Sequence, residues 1–67
     1  MLWAWDDQAT RPVLNALTDE AWRIREMAIR VVIRHRVRDA APIVEKLRSD
    51  ANARVRKAAE RAVAKLS

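Results

Sequence analysis

Side chains able to do covalent or acid–base chemistry are scarce in this sequence and stand apart from one another. Cysteine is absent, and the serines are Ser49, in a turn, and Ser67 at the terminus. The single histidine, His35, stands alone near the end of a helical stretch. A packed or helix-terminal imidazole is a better reading there than a catalytic base. Asp6-Asp7 and Asp19-Glu20 are adjacent acids that suit helix caps and first turns. A chain without glycine has no phosphate-cradling loop. One histidine and no cysteine make a zinc cluster implausible. These residues predict a non-enzymatic protein with no catalytic, cofactor-binding or metal residue. What the chain does carry is arginine at helical spacing. Arg23, Arg30 and Arg34, then Arg54, Arg61 and Lys65, could hold carboxylates or phosphates, the arginines through a forked pair of N–H groups.

The elements that must position those cations follow from length and composition. Sixty-seven residues, with 14 Lys+Arg against 9 Asp+Glu, allow one small domain, taken as residues 1–67. A chain this short buries only about 60% of its extended surface, so its core leaves little surplus over chain entropy. No run of apolar residues is long enough to span a membrane. The opening Met-Leu-Trp-Ala-Trp stretch is too short, and lacks the basic flank, for a signal peptide. A reducing, cytoplasmic location is expected. Thirteen alanines and 11 arginines favour helix, and the missing glycine removes the tight turns of strand hairpins. The fold is expected to be all-α.

The chain repeats itself. Pro12 and Pro42 each precede an apolar pair and a leucine, reading Pro12-Val13-Leu14-Asn15-Ala16-Leu17 and Pro42-Ile43-Val44-Glu45-Lys46-Leu47. Proline suits the first helical turn, where its missing N–H has no intrahelical partner to lose. Asp39 is placed as N-cap of a helix at about residues 40–48, and Asp6 or Asp7 as cap of the first. Longer helices follow at about 20–35 and 51–66, with Asp19 and Asp50 at their starts as caps. Between these, the pairs Asp19/Asp50, Arg23/Arg54, Arg25/Arg56, Ala28/Ala59, Arg30/Arg61 and Val32/Val63 are identical. Four helices in two helix–turn–helix units result, at about 9–37 and 38–67, with room for a short extra helical segment at the N-terminus.

Leu47, Asp50, Val55-Arg56, Ala58-Ala59, Ala62 and Leu66 form a pattern that resembles the short HEAT-like repeats of the phycobilin-lyase type. The first copy matches less fully, through Asp19, Ile24-Arg25 and Met27-Ala28, with Val31 and His35 in place of Ala62 and Leu66. The resemblance covers about residues 11–66 and implies an α-solenoid fragment. Such repeats are mostly protein-binding scaffolds, with a minority that bind nucleic acid and a few enzymes. It also implies that Asp19, Arg25, Asp50 and Arg56 form a ladder between neighbouring repeats, and that the second helices line an inner face.

A helical wheel separates three faces of the long helices. Ile24, Met27, Ala28, Val31, Val32 and His35, and their counterparts Val55, Ala58, Ala59, Ala62, Val63 and Leu66, are expected to pack within each repeat. Trp22, Ile29 and Ile33 are expected to be covered by the second repeat. Their counterparts Ala53, Glu60 and Ala64 suit a polar end-cap, which reads residue 67 as a natural C-terminus. Arg25 and Arg56 border the apolar arc and need partners there. Charged residues fill the third face, which becomes a basic stripe of Arg23, Arg30, Arg34, Arg54, Arg61 and Lys65.

Two surfaces therefore suggest partners. The stripe fits an acidic protein segment, a phosphate backbone (though with no interleaved aromatic for base stacking), or simply the solvated polar face that an exposed helix needs. Leu2, Trp3 and Trp5 form an apolar N-terminal end. That end folds back as a cap, joins a homo-oligomer, or meets further repeats of a longer array.

Overall fold

The computed structural model describes residues 7–66, with side chains from residue 11 onward. Its elements are α1 (Asp7–Leu17), α2 (Trp22–His35), a 3-10 turn (Arg38–Ala40), α3 (Ala41–Leu47) and α4 (Ala53–Leu66). Helix α1 pairs with α2 and α3 with α4, while α2 and α4 lie side by side to join the two hairpins. Ala41, the first residue of α3, shares a hollow with Glu45 and with Val63 and Leu66 at the end of α4, so that pair runs antiparallel. The fold is an all-α solenoid fragment of two repeats, and among the described residues no helix is long and apolar enough to cross a membrane.

One core runs through both hairpins. Leu17, Ile29, Val32, Val44 and Val55 are its largest fully buried side chains. Alanines at 28, 40, 59 and 62 are buried among them, and their small side chains let the helices approach closely. Ile29 is fully buried, and Trp22 and Ile33 pack against the same core. The second repeat covers this face of α2, while Ala53, Glu60 and Ala64 on the matching face of α4 are exposed.

The wheel misplaces three residues of α2. Ile24 is 39% and Met27 61% exposed, whereas their counterpart Val55 is fully buried and Ala58 half-buried. Helix α4 has α2 along its flank; the corresponding flank of α2 has no described neighbour. His35, the last residue of α2, is likewise exposed rather than packed within its repeat.

Helix ends correct further expectations. Helix α1 begins at Asp7, so Pro12 lies inside it rather than in its first turn. A proline there deletes one i→i−4 hydrogen bond. Pro42 is in the first turn of α3 as expected. Asp39 sits within the 3-10 turn and makes no cap; the N-cap position of α3 is Ala40. Asp19 and Asp50 precede their helices by too much to cap them. Each instead closes a turn, Asp19 Oδ1 accepting the Ala21 N–H at 2.8 Å and Asp50 Oδ2 the Asn52 N–H at 2.8 Å. The cap of α4 is Asn52, whose Oδ1 accepts the N–H groups of Arg54 at 2.8 Å and Val55 at 3.3 Å. Ala21, its counterpart before α2, has no side chain to do this.

Helix α2 closes without glycine. Arg36 takes the left-handed conformation (φ 50°, ψ 53°), its N–H reaching the Ile33 carbonyl while the Val37 N–H reaches that of Val32 at 3.1 Å. Val37 is buried beneath this Schellman closure. A Cβ in that conformation costs about 1 kcal/mol. Arg36→Gly is therefore expected to stabilise the fold by about 0.5–1 kcal/mol, measured by urea denaturation. By the same assay Ile29→Ala should cost about 3 kcal/mol. Met27→Ala should cost under about 1 kcal/mol, despite its place on the apolar arc.

Candidate functional site

The two hairpins are held in register by one guanidinium. Arg25 Nη1 donates to the carbonyls of Asp19 at 2.7 Å and Glu20 at 3.0 Å, which fixes the fork at the foot of its own helix. Its other edge faces the second repeat. There Nη2 donates to Asp50 Oδ2 at 3.1 Å and Nε lies 3.0 Å from Oδ1. Both side chains are nearly buried, at 16% and 10% exposure. Arg56 repeats the first half of this arrangement, Nη1 donating to the carbonyls of Asp50 at 2.7 Å and Ala51 at 3.1 Å. Arg25 and Asp50 thus form the joint between repeats, while Asp19 and Arg56 stand at opposite ends of it.

Burial alone would push the Asp50 carboxyl up. The Asn52 N–H, the hydrogen bond from Arg25 and the charges of Arg25 and Arg56 together outweigh it and hold the pKa below its ordinary value of 3.8. A lowered carboxyl pKa gives stability that is complete above the unfolded value and is lost as pH falls through the folded one.

Beside the joint, α2 and α4 enclose an open groove of ≈ 230 Å³ lined by Glu26, Arg30, Ile33, Arg54, Lys57, Ala58 and Arg61. Ile33 and Ala58, both half-buried, form an apolar floor. Arg30, Arg54, Lys57 and Arg61 supply four cations and Glu26 one anion. Glu26 lies 3.8 Å from Arg30, whose side chain is 75% exposed, a separation too long and too wet to neutralise it firmly. Trp22 steadies the rim. The guanidinium carbons of Arg23 and Arg54 lie 5.4 and 5.9 Å from its ring centroid. Each such contact contributes about 0.5–1 kcal/mol at an exposed site.

Of the six residues of the sequence stripe, three line the groove. Arg30, Arg54 and Arg61 meet in the groove, and Arg23 lies against Trp22 beside Arg54. Arg34 and Lys65 are exposed in the last turns of α2 and α4, outside it. Lys57 joins the groove from a position the sequence marks only as charged, three residues after Arg54 and four before Arg61. The pairing of Trp22 with two arginines has no sequence signal, because residues 22 and 54 meet only across repeats. Leu2, Trp3 and Trp5 lie outside the described residues.

Asp50→Ala is expected to cost about 3 kcal/mol in a denaturation assay, since it strands a buried guanidinium. Glu45→Ala, which removes the exposed pair with Arg48, should change stability by less than about 0.5 kcal/mol. Asp50→Asn should flatten the loss of stability that the unaltered chain shows as pH falls below about 4.

No curated protein and no solved structure matches this chain significantly. A family model described as HEAT repeats matches residues 1–66. That match spans both hairpins and the joint between them, and the chain belongs to the HEAT-repeat family.

Proposed function

We propose that the protein is a non-enzymatic interaction module whose α2/α4 groove receives an acidic segment of a partner protein. HEAT repeats generally mediate protein–protein interaction. The observation that carries the finer reading is the convergence of Arg30, Arg54, Lys57 and Arg61 over the Ile33/Ala58 floor. Cations around an apolar floor suit a carboxylate-bearing segment that also inserts an aliphatic side chain. A phosphate backbone would use the cations and leave the floor idle. Trp22 is faced by Arg23 and Arg54, so its ring is not offered for base stacking. The Asp/Arg joint and the 31-residue spacing of its members support assignment to the short, phycobilin-lyase-type repeats. A cysteine-free chain suits the reducing cytoplasm, where the module is proposed to work.

Fluorescence anisotropy with a labelled peptide of alternating Glu and Leu, set against a short DNA duplex, tests this reading. The peptide should bind, more weakly as salt screens the cations. Arg30→Glu plus Arg61→Glu should weaken binding at least tenfold, about 1.4 kcal/mol. Arg34→Glu plus Lys65→Glu makes the same charge change outside the groove and should leave affinity within about twofold. Equal losses in both variants would reduce the effect to net charge. Tighter binding of the duplex, with a steep salt dependence, would favour the nucleic-acid reading.

A further inference from the structure

The joint between repeats is built from two halves, and each half has a second copy that finds no such partner among the described residues. Arg25 anchors Nη1 on two carbonyls of its own turn and donates Nη2 to Asp50 of the next repeat, with Nε close to the same carboxylate. Arg56 anchors Nη1 in the same way, at 2.7 and 3.1 Å against 2.7 and 3.0 Å. Its Nε/Nη2 edge meets no carboxylate among the described residues. At the other end Asp19 reproduces Asp50. One of its oxygens closes the turn through the Ala21 N–H, as Asp50 does through Asn52, and no described cation pairs with it. A preoriented fork and a preoriented carboxylate thus stand at opposite ends of the described pair of repeats.

We propose that a second copy of the chain docks head to tail, its Asp19 carboxylate taking the open edge of the Arg56 guanidinium. The displacement that carries the first repeat onto the second carries Asp19 onto Asp50 and Arg25 onto Arg56. Applied once more, it sets the first repeat of a second copy where a third repeat would stand. Local charge complementarity favours this contact. Asp19, with Glu20 beside it, stands on the presenting hairpin, and Arg56 on the receiving one, whose residues 38–67 carry a net charge of +4. Apolar surface favours it too. Ile24 and Met27, with Pro12, Val13 and Ala16, border an open apolar hollow of ≈ 170 Å³ on the flank that the approaching copy would present. The receiving face on α4 carries Ala53 and Ala64, both exposed. Glu60 stands there at the counterpart of buried Ile29, which makes the contact between copies weaker than the one within the chain. Such a contact is heterologous and does not close on itself unless the rotation completes a ring. It lies at the ends of the stack, apart from the α2/α4 groove, and stands or falls independently of peptide binding.

Sedimentation equilibrium of the full chain over about 10 µM to 1 mM, in ~50 mM salt, tests the proposal. The chain should associate beyond the dimer, and salt should weaken the association. Asp19→Asn keeps the turn-closing oxygen and removes the charge, so it should weaken association at least tenfold with an unchanged circular dichroism spectrum. Glu60→Ile restores the residue that α2 uses and should strengthen association at least tenfold. A chain that stays monomeric throughout overturns the proposal, as does association indifferent to both substitutions. Association that survives Asp19→Asn but is lost in Trp3→Ser plus Trp5→Ser would assign self-contact to the tryptophan end instead, and would equally overturn it.

Discussion

The distance between the two hairpins is set by the reach of one arginine. Hydrophobic contact between α2 and α4 is non-directional and tolerates sliding, because alanine and valine surfaces fit one another in several registers. A fork with one nitrogen fixed on the Asp19 and Glu20 carbonyls permits one position for the carboxylate it grips. Asp50 occupies that position and is itself fixed by the Asn52 N–H. Stability comes from the apolar core, and register from the ion pair. Desolvation takes back part of what the charges gain, so the pair is worth more for alignment than for energy.

Register then determines what the surface can do. Arg30 and Glu26 on α2 face Arg54, Lys57 and Arg61 on α4 because the helices stop at one relative height. A shift of one turn, about 5.4 Å, would carry Arg54 away from Trp22 and uncover the Ile33/Ala58 floor. Exposed cations interact weakly one at a time and are screened by salt. Four of them held around an apolar patch make a more selective surface than the same four spread over a helix.

The repeat was legible in the sequence because it is written twice at fixed spacing. Asp19/Asp50, Arg25/Arg56 and Ala28/Ala59 mark the same places on two hairpins, and those places are where the structure puts them. Burial of Ile29 followed from comparing it with Glu60. Ile24 and Met27 were misread for a physical reason: a wheel gives direction around a helix and says nothing of what stands there. The same direction meets α2 in one repeat and no described neighbour in the other. The caps were misread because aspartate bonds a backbone N–H in turns as readily as at helix starts. Asn52 has no echo in the first copy, where Ala21 stands, so the repeat does not mark it as a cap. The Trp22 rim depends on approach between repeats, to which no local pattern points.

The link between hairpins is very short. Helix α2 ends at His35 and the 3-10 turn begins at Arg38, leaving Arg36 and Val37 to span the gap. One of the two is committed to a left-handed backbone and the other is tied by its N–H to Val32 and buried. A hinge needs residues whose dihedral angles can change without breaking much, and neither of these qualifies. Bending at the link would break the closure of α2 and expose Val37, which opposes any change in the spacing of α2 and α4.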